Sequence, residues 1–267
     1  MTQNGFAEIN GTKFYYEVSG QGFPLVLVHA GIADCRMWDG QFEAFARQYQ
    51  AVRYDRRGFG KTAMVAGDYS QYQDLYAFLK FLGIEQAILV GCSQGAKTVT
   101  DFTLEHPKMT KALVLVAPAL GGFIFNGESP KQEEQLELAE QAGDLDLVNE
   151  LELQIWVDGP QRTAEQVNPN VRELAREMNR IALHTPEDLG NEIPLVPAAV
   201  NRLSEINVPA LVITGDLDTP RTLAGADFLA QNIPGAKKAT MNGVAHLPNM
   251  ELPEEFNQLV LSFLEQT

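Results

Sequence analysis

The chain opens with two strand-like stretches, Phe6 to Ile9 and Thr12 to Val18, separated by Asn10-Gly11. That pair readily takes the positive φ angles of a tight primed turn, so the pattern predicts a β-hairpin. The rhythm then changes. Short apolar runs recur at Pro24 to Ala30, Ala51 to Tyr54, Ala87 to Val90, Ala112 to Ala117, Ala210 to Thr214 and, more weakly, Ala236 to Met241. Runs that are apolar at successive positions suit strands buried on both faces. Between them large residues recur at helical spacing: Trp38, Phe42, Phe45 and Tyr49, then Leu75, Phe78, Leu79 and Leu82. A last helix starts at Pro253-Glu254-Glu255, where a missing N–H and negative charge suit a helix N-terminus, and carries Phe256, Leu259, Val260, Phe263 and Leu264 on one face. The expected fold class is α/β: an N-terminal hairpin and a mostly parallel sheet with helices on both faces.

One stretch breaks the alternation. Leu120 to Val200 reads as polar helical sequence without a strand, punctuated at Asp158-Gly159-Pro160, Asn168-Pro169 and Thr185-Pro186. Residues 1–119 and 201–267 are therefore expected to form the α/β core, and 120–200 an inserted helical subdomain. Composition narrows the partners. Of 267 residues, 20 are basic and 35 acidic, a net charge of −15. Such a surface repels phosphate backbones and anionic lipid headgroups, which argues against nucleic-acid binding and membrane docking. No apolar run approaches the roughly 18 residues of a membrane span. Cys35 and Cys92 lie far apart without CxxC spacing, so neither a disulfide framework nor a zinc site is expected. The N-terminus lacks a basic segment followed by an apolar one, and the expected location is cytoplasmic.

The chemistry starts where Ala87 to Val90 runs into Gly91-Cys92-Ser93-Gln94-Gly95 and then into helical sequence. A bare G-x-S-x-G is common; after a buried strand and before a helix it is the context of a nucleophile elbow. A serine hydroxyl is a weak nucleophile and needs a base, itself oriented by an acid. Of the four histidines, His106 precedes Pro107 at a helix end, His184 adjoins Thr185-Pro186, and His29 ends a core strand and shapes the next loop. His246, between the last strand and the last helix, can overhang the strand ends and is the expected base. Asp218 in Gly215-Asp216-Leu217-Asp218 is the expected acid; Asp216 is expected to bind loop amides, and the reverse assignment stays open. Oxyanion donors are expected from the backbone N–H of Gln94 and from the His29 to Asp34 loop, at Gly31 or alternatively Ile32. Ile32 and Trp156 are candidates for the substrate pocket, although Trp156 could equally fill the insertion's own core.

Taken together, these motifs resemble the α/β-hydrolase family. The resemblance rests on the His29 loop, Asp55-Arg56-Arg57-Gly58-Phe59-Gly60, the elbow, Gly215-Asp216-Leu217-Asp218 and Gly243-Val244-Ala245-His246, in the chain order Ser, Asp, His. It spans nearly the whole chain. It implies an α/β-hydrolase fold whose helical insertion caps Ser93. Two positions depart from the family pattern: Ala30 stands where glycine is usual, and Lys97 follows the elbow where small residues are commoner. Ser93 in the elbow, rather than the aspartate of epoxide hydrolases and haloalkane dehalogenases, implies an acyl-enzyme. The expected activity is hydrolysis of small neutral carboxylic esters or lactones without cofactor or metal, by a monomer or homodimer. The alternatives are a C–C bond hydrolase or enol-lactonase of aromatic degradation and, outside catalysis, a binding protein, against which the complete triad argues. Anionic substrates of the first alternative require arginines under the cap. Arg162 lies in the insertion; Arg172, Arg176 and Arg180 read instead as a solvated ion-pair face with Glu173 and Glu177. Residues 120–200 hold 5 basic and 16 acidic residues, −11 of the chain's −15, so the expected lid is negative.

Overall fold

The computed structural model describes residues 2–186 and 189–267. Strands β1 (Gln3–Ile9) and β2 (Thr12–Ser19) form the expected hairpin. Asn10 and Gly11 both take positive φ, 43° and 79°, as a primed turn requires. Strands β3 (Pro24–Val28), β4 (Gln50–Tyr54), β6 (Ala87–Cys92), β7 (Thr110–Val116), β9 (Ala210–Gly215) and β10 (Lys237–Met241) join them in an eight-stranded sheet of order β1-β2-β4-β3-β6-β7-β9-β10. Every pairing from β4 to β10 is parallel.

The two-faced burial behind the apolar runs is visible residue by residue. Leu25 and Leu27 of β3 enter one core, Val26 and Val28 the other; in β6, Ile88 and Val90 oppose Ala87 and Leu89. Helices α1 (Asp39–Phe45) and α9 (Pro253–Leu264) cover the first face, with Trp38 packed on Phe256. On the second lie α2 (Gln71–Phe81), α3 (Gln94–Glu105) and α7 (Pro220–Asn232).

Several boundaries differ from the pattern. The run at Pro24 ends as a strand at Val28, because the next residues bond outside the sheet: the His29 ring reaches the Arg56 N–H, and the Ala30 N–H reaches the Met37 sulfur. The run at Ala112 stops at Val116, where Ala117 turns to φ 41°. The helix around Trp38 is divided into a 3₁₀ turn, Cys35–Trp38, and α1, and Tyr49 lies beyond it.

Between β7 and β9 the chain runs through α4 (Lys131–Ala142), α5 (Leu145–Glu152), a wide π-helical turn (Leu153–Asp158) and α6 (Pro169–Leu183). The expectation of no strand in this stretch needs correction. Strand β8 (Gly190–Glu192) pairs in parallel with β5 (Gly67–Tyr69), a separate two-stranded sheet that ties the end of the insertion to the loop after β4. Three polar residues, Gly-Asn-Glu, carry no apolar run by which to read them. Lys97 on α3 reinforces the tie by pairing with Glu192 at 2.7 Å, and so points away from the sheet, on which the fully buried Ala96 packs instead.

Candidate active site

Strand β6 delivers Ser93 on a turn that only its neighbours permit. Ser93 sits at φ 52°, ψ −114°, a region costing about 1–3 kcal/mol for a residue with a side chain. The flanking glycines are sterically required: a Cβ on Gly91 would strike the backbone of Gly95, and one on Gly95 the carbonyls of Val28 and His29. The hydroxyl thereby reaches the C-terminal edge of the sheet, where a cavity of about 290 Å³ is lined by Ser93, Gln94, Phe123, Trp156, Arg221 and His246 among others.

His246 is buried beside it. Its Nδ1 lies 2.8 and 3.0 Å from the two carboxylate oxygens of Asp218, which can only accept, so Nδ1 carries the donated proton and Nε2 is the ring nitrogen left without a partner among the described residues. Asp218 is itself buried and accepts the Thr219 N–H at 2.6 Å, so its orientation is fixed from two sides. Asp216 accepts the Gly243 N–H at 2.7 Å and braces the loop that carries His246. The Ser93 hydroxyl makes no hydrogen bond to a described residue; such contacts commonly tighten only when substrate arrives.

Two backbone N–H groups are the candidate oxyanion donors. Gln94 is the first residue of α3, so its N–H has no acceptor within the helix. The Gly31 N–H has no backbone acceptor among the described residues. Gly31 must be small, because the Gln94 side chain lies where a Cβ would sit. Ile32 is buried in the core and Trp156 borders the cavity, so of the two pocket candidates the cavity wall takes Trp156. The Trp156 ring packs 4.7 Å from the His246 ring, and its carbonyl accepts the His246 N–H at 3.2 Å.

The remaining histidines have structural surroundings. His29 accepts the Arg56 N–H at Nε2 and donates from Nδ1 to the Ala30 carbonyl, and burial holds it neutral, well below the usual imidazole range. His106 stacks on Tyr76, and His184 bonds the Arg180 carbonyl at the end of α6. Among the described residues, one group could offer three metal-ligating atoms: Asp34, Cys35 and Asp55. Its carboxylates are already committed, Asp34 to Arg36 and Asp55 to the N–H groups of Cys35 and Lys61, and burial raises the Cys35 thiol.

Three of the four insertion arginines form ion pairs with described residues. Arg162 joins Glu251, Arg172 joins Asp158 and Glu150, and Arg176 joins Glu150 and Glu173. Arg172 corrects the reading of a solvated face, since it is only 9% exposed and holds its acids in a part-buried network. The arginine that borders the cavity is Arg221, in the first turn of α7, which makes no ion pair with a described residue. Sequence reasoning missed it by looking only inside the insertion. Its spacing from Asp218, three residues on and just past the helix-starting Pro220, was the available signal.

A parallel sheet with a serine on a strained strand-to-helix turn and a histidine bound to a carboxylate at the same edge defines a hydrolase class. The chain matches the alpha/beta hydrolase family over residues 25–259 and belongs to it. It is 27% identical over 264 residues to the (E)-2-((N-methylformamido)methylene)succinate hydrolase of Acinetobacter baylyi, covering 97% of this chain and 96% of that one. Among solved structures it is similar to the enol-lactonase of Burkholderia xenovorans, with 25% identity, TM-score 0.78 and coverage of 98% and 100%. It is likewise similar to Est816, an N-acyl homoserine lactone degrading enzyme, with 26% identity, TM-score 0.77 and coverage of 97% and 100%.

Proposed function

We propose that this hydrolase cleaves small carboxylic esters or lactones through an acyl-enzyme on Ser93. The observation that carries the reading is the shared cavity: an elbow serine and a histidine whose Nδ1 is bound to Asp218 border one 290 Å³ space. In the proposed cycle His246 Nε2 takes the Ser93 proton as Oγ attacks the carbonyl carbon, and the N–H groups of Gly31 and Gln94 hold the oxyanion. His246 then protonates the leaving alcohol, which in a lactone stays attached to the acyl group. Water, activated by the same imidazole, releases the acid. The helical stretch between 120 and 200 serves as a cap, with Trp156 as its contact to the base.

A second reading is favoured by Arg221. A cation at the cavity wall without an acidic partner among the described residues suits a carboxylate on the substrate, as in lactones or enol-lactones that carry an acid group. The names of the similar enzymes, an enol-lactonase and a succinate-derivative hydrolase, are consistent with it. One experiment tests both. Wild type, Ser93→Ala and Arg221→Gln are assayed on p-nitrophenyl acetate, γ-butyrolactone and a carboxylate-bearing lactone. Ser93→Ala is expected to abolish turnover of every ester and lactone; residual equal rates would overturn the acyl-enzyme. Arg221→Gln is expected to raise KM about tenfold for the anionic lactone alone if the second reading holds, and to change nothing if the natural substrates are neutral.

A further inference from the structure

Arg56 is a buried cation without a counter-ion among the described residues. It is 1% exposed, no carboxylate among the described residues pairs with it, and its Nε has no acceptor. Its guanidinium lies over the Phe59 ring at 4.5 Å. The groups it does contact are specific. Nη2 donates to the Ala30 carbonyl at 3.2 Å, and Nη1 and Nη2 reach the Gln94 side-chain oxygen at 3.4 and 3.3 Å. The Ala30 carbonyl belongs to the same planar peptide as the Gly31 N–H, so holding one end aims the other. His29 Nδ1–H donates to that carbonyl as well, at 2.7 Å. A peptide whose oxygen is held by a cation and an imidazole has its N–H polarised, and the polarisation is cooperative.

Burying an arginine unpaired is costly, and a neutral donor such as Gln could meet both of its oxygen partners. The charge is compensated only if negative charge develops nearby. In the reaction proposed above it does so at the tetrahedral oxyanion, between the N–H of Gln94, whose side chain Arg56 contacts, and the N–H of Gly31, which shares a peptide with the Ala30 carbonyl that Arg56 holds. Contact with Gln94 has a further effect. Because the guanidinium can only donate, it selects the amide oxygen of Gln94 and leaves the NH₂ facing the Gly31 side of the cavity.

We propose, on the basis of that acyl-enzyme reading, that Arg56 is the positioning residue of the oxyanion hole: it fixes the Ala30–Gly31 peptide and the Gln94 amide, and its buried charge stabilises the tetrahedral intermediate. It touches no reacting atom, so its loss affects the transition state more than substrate binding.

The test compares wild type, Arg56→Lys and Arg56→Met on p-nitrophenyl acetate. It also measures affinity for phenylboronic acid, which forms an anionic tetrahedral adduct with a reactive serine, and for acetophenone, a neutral ligand of similar size. Losing one oxyanion donor outright costs about 10²–10³ in kcat. Arg56→Met, acting at one remove, is expected to lower kcat about 10- to 100-fold with KM within about threefold, and to weaken phenylboronic acid by a similar factor while sparing acetophenone. Arg56→Lys keeps the charge without the fork and is expected to fall between. Unchanged kcat and boronate affinity in either folded variant would overturn the proposal. So would equal weakening of acetophenone and boronate, which marks a loop support alone. If Arg56→Met fails to fold, the same comparison in Arg56→Lys decides. Ser93→Ala keeps the two readings apart: serine-dependent turnover with unaffected Arg56 variants removes only this inference, whereas no serine-dependent turnover removes the acyl-enzyme and this inference with it.

Discussion

Asp101 on α3 is a charge the fold holds at a loss. Its carboxyl is largely buried, Oδ1 has no hydrogen-bond partner among the described residues, and burial raises its pKa from the usual carboxylate range near 3.8 to about 6. The folded state therefore binds the proton more tightly than the unfolded chain. The cost is complete above pH 6 and disappears as the pH falls toward 4. Asp101→Asn is expected to stabilise the protein at pH 7.5 by up to about 3 kcal/mol, a gain that shrinks toward zero at pH 4. Thermal unfolding across pH 4–8 checks it, and a pH-independent difference would refute the cause. His29 acts in the opposite sense in both proteins: held neutral when folded, it withdraws stability below about pH 6.5, where the unfolded imidazole takes up a proton. At this scale the sequence was readable wherever chemistry rides on backbone shape. Ser93, Asp218 and His246 sit in motifs whose glycines and strand ends announce the turn. Arg56 was quoted only as part of a loop motif, because the partners that give it meaning, Ala30 and Gln94, lie 26 and 38 residues away.

The elements around His246 are tied by one side chain between β7 and β9. Arg162 donates to the Asp158 and Val157 carbonyls of its own segment, to the Gly243 carbonyl in the His246 loop, and to both oxygens of Glu251 in the short helix α8 (Pro248–Glu251). Glu251 in turn accepts the Ala245 N–H at 2.8 Å. The pair is well buried, 9% and 7% exposed at the side chains, so removing one partner costs on the order of 3 kcal/mol. Arg162→Met is expected to lower the melting temperature by several degrees and kcat by about tenfold, since the loop holding the proposed base loses its brace. Calorimetry and steady-state kinetics measure the two, and the expected drop in melting temperature with an unchanged kcat would show that the loop holds itself. The main strands were legible because burial on both faces leaves a continuous apolar run. β5, β8 and the π-helical turn were not, since each is stabilised by a distant partner rather than by its own pattern.

For the whole molecule, charge is the property the fold redistributes. Acids from α4, among them Glu134, Glu137 and Glu140, face solvent, while those near α6 are partly neutralised by Arg172 and Arg176. Part of the acidic excess of residues 120–200 is thus carried by exposed α4 side chains, while Asp158 is buried, and Arg221 stands at the cavity wall. A negative exterior repels an anionic ester on approach, and salt screens that repulsion within about 10 Å at 0.1 M. Raising sodium chloride from 10 to 300 mM is expected to increase kcat/KM for an anionic ester about two- to fivefold, leaving a neutral ester nearly unchanged. An equal response by both would count against it. Overall class, sheet and site neighbourhood could all be anticipated from the chain, because hydrophobic period and glycine spacing are local. The direction in which each surface charge points is not.

The grip of Arg162 has a bearing on protein engineering. Gly159, at φ 75°, nests against the Leu217 carbonyl and the Ala245 side chain, so 159 and 162 form the seat of His246 although they lie in the insertion. A chimaera that exchanges 120–200 for the equivalent segment of a relative would replace the proposed roof and the seat together, and a change in rate could not be credited to the new pocket. Retaining native 153–162 within the graft would alter the roof alone.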